Sequence, residues 1–264
     1  MLTAPVDHPL DLVTQNVLTY ASWVLTFVVL GIAAKMGRDE KTPFYVLMVL
    51  AALVGAFGEP LYDAAMMLYF YSGPAMHTHF TAFDIPQPVW THSGYVVLYA
   101  LPAIFVARAI SRGTATRRTL YIGAAVELAM SCTFEMFGIN GLRGGAYTYW
   151  GPHVFRIFEY PLAIGVLEAA QVVCFAVGAT LLRRLVSRPA ALLGLFALFP
   201  CTFFLVNCGA GAAMIVSLHL ENTTPAIVAV GSLISMGIAV WLIRAAASLL
   251  PNEMQAPALL RAPA

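Results

Sequence analysis

Six carboxylates fall inside apolar stretches of this chain: Glu59, Asp63, Glu127, Glu135, Glu159 and Glu168. An ionised acid at the centre of a bilayer costs roughly 2.5–3.5 kcal/mol on insertion scales. Six unpaired ones would threaten insertion, so they must be paired, protonated or turned toward a polar cavity. Burial in low dielectric raises a carboxyl pKa above its reference of about 4.3. A carboxyl that keeps its proton near neutrality is a general acid, and a neighbour that stays ionised is a base. Acids of this kind suit proton-transfer chemistry on a molecule that partitions into lipid.

The elements that must carry these acids follow from composition. The chain has 264 residues, 60% of them hydrophobic and 10% charged, with mean hydropathy +0.81. A soluble domain carries about 25% charged residues, so the remaining solvent is lipid. A net charge of +1 and the lack of a basic stripe argue against a nucleic-acid partner. Apolar stretches of about 20 residues recur at 12–34, 43–70, 91–111, 119–138, 158–182, 190–219 and 224–247. This pattern predicts an all-α, multi-pass protein of the cell membrane. Its single seven-helix domain spans residues 1–250, and a tail follows at 251–264. Residues 1–8 hold no Lys or Arg, so no secretory signal is expected and the first run reads as a retained span. The four cysteines lie in apolar runs and read as buried free thiols.

Orientation comes from the basic residues. Lys35, Arg38, Lys41, Arg108, Arg112, Arg117, Arg118, Arg183, Arg184, Arg188, Arg244 and Arg261 share one face; only Arg143 and Arg156 lie on the other. The positive-inside rule places the N-terminus outside and the C-terminus in the cytoplasm. All six histidines then fall outside. So do the long connections at 71–90 and 139–157, with Trp90, Tyr147, Tyr149 and Trp150 at belt level.

Given that topology, depth can be counted. At 1.5 Å per residue, Glu59 on the rising second span and Glu135 on the rising fourth stand at a similar height, roughly 24 Å up. Asp63 lies one turn above Glu59 on the same face, and Glu159 opens the descending fifth span. Glu59, Asp63, Glu135 and Glu159 are therefore expected to meet in the outer half of the membrane, with Arg143 and Arg156 bordering them. Glu127 and Glu168 form a second level nearer the middle, where they could share a proton. Pro60 frees the carbonyl of Ala56, which supports a polar cavity beside Glu59. Pro102 and Pro200 predict kinks.

The catalytic set is thus Glu59, Asp63, Glu135 and Glu159. Tyr62, Asp84, Trp90, His92, Arg143, Tyr149, Arg156 and Glu168 are expected to contact substrate. His77, His79, Asp84 and His92 have ligand chemistry suited to zinc or iron. They lack fixed spacing, however, and read instead as a loop lining the cavity, so no metal or cofactor is expected. A retinal Schiff base in the last span is excluded, because the only lysines are Lys35 and Lys41 in the first cytoplasmic loop.

Three stretches carry a resemblance: Glu59-Pro60-Leu61-Tyr62-Asp63, the run Phe80-Thr81-Ala82-Phe83-Asp84-Ile85-Pro86-Gln87-Pro88-Val89-Trp90, and Tyr147-Thr148-Tyr149-Trp150-Gly151 leading to Arg156. Over residues 50–175 the chain resembles the AveC-like spirocyclase family of actinobacterial membrane proteins. The resemblance implies a cyclase that closes a spiroketal in a polyketide by dehydration; it assigns no residue roles. The architecture is also similar to small integral-membrane terpene cyclases, except that the last span carries no acid. The expected mechanism has Glu59 or Asp63 protonate a substrate oxygen. Tyr62 and Tyr149 then face the cation, and Glu135 or Glu159 takes the proton of the attacking hydroxyl. Two rival classes stand beside it. One is a proton-coupled transporter or lipid-binding protein, a transporter working through Glu127 and Glu168. The other is a structural subunit of a membrane complex. The expected partners are a lipophilic small molecule and membrane lipids, with the oligomeric state open.

Overall fold

The computed structural model describes residues 3–251. The first span is α1 (Leu12–Asp39). The second is α2 (Phe44–Gly55), a 3-10 turn at Ala56–Gly58 and α3 (Glu59–Met66). The third is α4 (Trp90–Tyr95), a π-helical stretch at Val96–Ala100 and α5 (Leu101–Ser111). The fourth and fifth, α6 (Arg117–Asn140) and α7 (Leu162–Leu185), are unbroken. The sixth passes through a 3-10 turn at Pro189–Gly194, α8 (Leu195–Phe204) and a π-helical stretch at Leu205–Ala210, then continues as α9 (Ala212–His219). The seventh is α10 (Pro225–Ser248). Seven of these helical units are long and apolar enough to cross a membrane, so the chain is an all-α multi-pass membrane protein.

Two of the irregular turns have a local cause. A proline lacks an N–H, and its ring collides with the carbonyl four residues back. Pro60 stands four residues after Ala56, where the 3-10 turn begins, and Pro102 stands four after Leu98, in the middle of the π-helical stretch. The helix re-registers at both places. Pro200 lies inside α8, and the second π-helical stretch starts only after it.

The third and fifth spans form the interior, each with 78% of its apolar window buried. The first, fourth, sixth and seventh spans turn Val, Leu, Ile and Phe side chains outward, as a lipid solvent requires. Cys201, expected inside, is exposed on that surface, while Cys132, Cys174 and Cys208 are partly buried.

One end of the bundle carries three short antiparallel ladders. β1 (Leu68–Phe70) pairs with β4 (Tyr147–Tyr149), β2 (Thr78–Ala82) with β3 (Ile85–Pro88), and β5 (Arg156–Ile157) with β6 (Tyr160–Pro161). Two-residue turns close the last two hairpins. Phe83–Asp84 and Phe158–Glu159 occupy them with φ of 54°, 60°, 45° and 63°, the left-handed pair that such hairpins need. These ladders correct two expected spans. The second ends at Met66, because Met67 turns left-handed (φ 54°) and the chain enters β1. The fifth begins at Leu162, because Pro161 holds Tyr160 extended. Of the expected tail, only Pro251 is among the described residues.

The other end is basic. Glu40 accepts from Tyr45 at 2.6 Å, Arg112 at 3.1 Å, Arg183 at 3.1 Å and Arg108 at 3.3 Å, tying the first three spans to the fifth. Burial opposes the Glu40 charge, but these hydrogen bonds and the Arg183 guanidinium outweigh it and hold its pKa below the ordinary value of 4.5. A group lowered by folding adds stability that is complete above its unfolded pKa and lost as pH falls through the folded one. Thermal unfolding in lipid nanodiscs should therefore fall off below pH 4.5. Glu40→Gln should lose about 1–3 kcal/mol at neutral pH and flatten that acid limb. An unchanged limb would place the stabilising charge elsewhere.

Candidate functional site

A cavity of about 30 Å³ lies between the ladder end and the bundle centre. Its upper wall is the β1–β4 ladder. Side chains alternate along a strand, and the register sets Leu68 opposite Tyr149 and Phe70 opposite Tyr147. All four reach the cavity, while Tyr69 and Thr148 do not. The third span supplies Trp90, Gly94, Tyr95, Leu98 and Tyr99, the last two from the π-helical stretch. Pro60 starts α3 with Glu59 in its first turn, and Tyr62 follows one turn on.

Three acids from three spans meet here: Glu59 from the second, Glu135 from the fourth and Glu168 from the fifth. Tyr95 donates a short hydrogen bond to Glu59. Tyr149 donates to Glu135 at 3.1 Å, and its oxygen lies 3.4 Å from that of Tyr62. Glu168 accepts from three hydroxyls: Tyr99 at 2.8 Å, Tyr160 at 3.0 Å and Ser131 in a short contact. The buried Tyr147 hydroxyl has no hydrogen-bond partner among the described residues. Among the described residues, no Lys, Arg or His lines the cavity. Several like charges cannot share so dry a space without a counter-ion. The cluster therefore holds protons, and hydroxyl donors stabilise the remaining carboxylate charge.

Asp63, also fully buried, faces a separate pocket of about 200 Å³ toward the ladder end. Gln87 donates to one of its oxygens at 2.6 Å, and the other has no partner among the described residues. Leu68 is the wall shared by the two spaces. Asp84 is exposed at the β2–β3 turn and lines this second pocket, so it joins Asp63 rather than the three glutamates.

Four expected placements need correction. Glu159 is 67% exposed on its side chain and pairs with Arg156, at 3.3 Å, because the β5–β6 turn carries it off the bundle. Arg143 is exposed. Gly141, Gly144 and Gly145 bend its loop with positive φ, and its backbone N–H donates to the α1 cap Asp11 at 2.8 Å. His92 is buried but turns away from the cavity. It bonds the Leu53 carbonyl through Nδ1 at 2.8 Å and His79 through Nε2 at 3.1 Å. With Nδ1 donating, His92 Nε2 accepts and His79 Nδ1 donates. Glu168 belongs with Glu59 and Glu135, not with Glu127. Both carboxyl oxygens of Glu127 are buried without a partner among the described residues.

Arg156 does not reach the acids either. Its guanidinium bonds the carbonyls of Tyr149 and Gly151, both at 2.8 Å, and of His153 at 3.2 Å. It thereby holds the strand that presents Tyr147 and Tyr149. His153 donates through Nε2 to the Met66 carbonyl at 2.8 Å, and burial lowers its pKa to about 4, so it is neutral at physiological pH. Tyr95, Tyr99, Tyr147, Tyr160, Ser131 and Gln87 were not foreseen. A signal existed for some of them. Tyr95 and Tyr99 are one turn apart, and Ser131 lies one turn from both Glu127 and Glu135.

Arg156→Ala should speed amide hydrogen exchange across residues 68–70 and 147–151. Glu159→Gln should leave it unchanged, since an exposed pair is worth under about 1 kcal/mol. Equal effects would mean the ion pair, not the carbonyl clamp, holds the strand. A Cβ on Gly138 would lie 2.4 Å from the Tyr147 hydroxyl. Gly to Ala within a helix gains about 1 kcal/mol, whereas overpacking costs about 1–3 kcal/mol. Gly138→Ala should therefore lower the unfolding temperature, and a rise would show Tyr147 free to move.

Comparison with protein-family models, with curated proteins and with solved structures returns no match for this chain.

Proposed function

We propose that the chain is a cofactor-independent membrane enzyme that cyclises a lipophilic small molecule by general acid–base catalysis. The observation that carries this reading is the meeting of Glu59, Glu135 and Glu168 in one aromatic cavity with no basic group among its lining residues. The roles follow from the hydrogen bonds. Glu168, with three hydroxyl donors, is arranged to carry negative charge and accept a proton. Glu59 and Glu135 each accept from one tyrosine and serve as proton donors. The faces of Trp90, Tyr95 and Tyr149 stabilise a developing cation.

The resemblance to spirocyclases narrows the reaction to dehydrative ring closure. One donor acid protonates a ketone as a substrate hydroxyl attacks its carbon, and the proton of that hydroxyl passes to Glu168. The second donor acid protonates the resulting hemiketal hydroxyl, which leaves as water. The second substrate hydroxyl then attacks and gives its proton to the carboxylate of the first donor, and Glu168 returns its proton to the second. One water is lost and the acids are back in their starting states. In the proposed orientation the ladder end faces outward from the cell membrane and the basic end faces the cytoplasm. At about 30 Å³ the cavity takes only water-sized molecules, so binding must displace side chains of its wall.

Glu59→Gln, Glu135→Gln and Glu168→Gln should each lower turnover of a dihydroxyketone polyketide by about 10²-fold or more, while Glu159→Gln and Asp84→Asn keep it. Product formation by mass spectrometry in membranes of equal expression is the measurement. Full turnover in all three glutamine variants would end the assignment.

One observation favours proton translocation instead. Glu127 is a buried, unpartnered acid one turn below Ser131, which itself bonds Glu168. A proton flux into proteoliposomes that Glu127→Gln abolishes would favour that reading over cyclisation.

A further inference from the structure

The cavity is walled from the surrounding lipid by two side chains. A shallow groove of about 470 Å³ runs between the third and fourth spans, lined by Val97, Leu98, Val126, Ala129, Met130, Thr133 and Phe134. Leu98 and Phe134 also line the acid cavity. Among the described residues, they alone are common to both spaces. Val126 is 46% exposed and Ala129 is exposed, so the groove opens on the membrane-facing surface. Counted from Trp90 and Asn140 at the ladder end, it runs from roughly 10 Å along the helices at Val97 and Phe134 to roughly 20 Å at Val126, among the acyl chains.

We propose that this groove is a lateral portal through which a lipophilic molecule passes from the bilayer to the acids, with Leu98 and Phe134 as its gate. Phe134 reaches across from α6. A Cβ on Gly94 would lie 3.7 Å from its ring tip, and its ring centroid is 6.0 Å from that of Trp90. Phe134 is only partly buried, and no polar bond holds it, so a rotamer change alone opens the wall. Leu98 sits in the π-helical stretch at the place where Pro102 disturbs the third span. Helix distortions of this kind recur at functional sites. The groove holds the apolar body of the molecule while its oxygen-bearing end faces Glu135, the residue next to Phe134. The Asp63 pocket lies on the opposite side of the cavity, behind Leu68.

This inference rests on the reading that the cavity admits lipophilic molecules, and its test does not depend on turnover. The probe is dicyclohexylcarbodiimide, a membrane-soluble reagent that adds a carboxylic O–H across a C=N bond and rearranges to a stable N-acylurea. The adduct gains the mass of one reagent molecule, and no atom leaves. The full chain in lipid nanodiscs is treated with this reagent or with a charged, water-soluble carbodiimide, and adducts on Glu59, Glu135 and Glu168 are followed by peptide mass spectrometry. Phe134→Ala should raise the rate with the lipophilic reagent several-fold, and Ala129→Phe, which fills the groove, should lower it several-fold. Neither should alter the rate with the water-soluble reagent. Unchanged lipophilic labelling in Ala129→Phe, or equal changes with both reagents, overturns the portal. Ala129 faces lipid, so its variant remains informative even if Phe134→Ala fails to fold. A portal that stands while the glutamine variants retain full turnover would refute catalysis alone. Loss of turnover in those variants with unaltered labelling would refute the portal alone.

Discussion

Carboxyl groups placed in a low-dielectric interior without counter-ions dominate this structure. Moving an ion out of water costs several kcal/mol even after relaxation, and the chain places Glu59, Asp63, Glu127, Glu135 and Glu168 there together. For the three that line the cavity, hydroxyls meet that cost: Tyr95 on Glu59, Tyr149 on Glu135, and Tyr99, Tyr160 and Ser131 on Glu168. A hydroxyl both donates and accepts, so it can donate to a carboxylate or accept from a carboxylic acid. An arginine in the same position would fix the charge and hold the acid ionised. The cations are instead spent at the two ends of the bundle, on Glu40 and on the backbone carbonyls that Arg156 gathers.

The rest of the fold can be understood as scaffolding for those hydroxyls. The two most buried spans, the third and fifth, bring Tyr95, Tyr99 and Glu168 to the centre. The β1–β4 ladder closes the cavity from one end, and its two-residue alternation sends Tyr147 and Tyr149 inward together. Arg156 keeps that strand in place from outside the cavity. Gly138 lets the Tyr147 ring lie against α6, where a Cβ would collide with it. Rigidity on the ladder side contrasts with the lipid-facing wall, where apolar side chains alone separate the acids from the groove.

Prolines link local sequence to the site more directly than hydrophobicity does. Pro60 breaks the second span so that Glu59 begins a new helix, and Pro102 follows the π-helical stretch that carries Leu98 and Tyr99. In both spans the irregular backbone borders the polar cavity, the setting in which a membrane interior tolerates it.

The sequence by itself determined the number of spans, the helical class and the convergence of Glu59 and Glu135. Apolar length and the rise per residue are local properties that need no knowledge of packing. It also marked Tyr62, Trp90 and Tyr149, whose positions follow from depth. Tertiary structure decided which face each helix turns inward, and so brought Glu168 to the site and left Glu127 out of it. It decided that Glu159, Arg143 and Asp84 lie in turns outside the acid cavity. Backbone conformation at Pro161, Gly141 and Phe83–Asp84 redirects the chain there, and a count of residues along a straight helix contains no such bend. Tyr95, Tyr99, Tyr147 and Tyr160 went unforeseen for the same reason. A hydroxyl pointed at a buried acid and one pointed at the headgroups read alike in one dimension, and only the packing of neighbouring spans separates them.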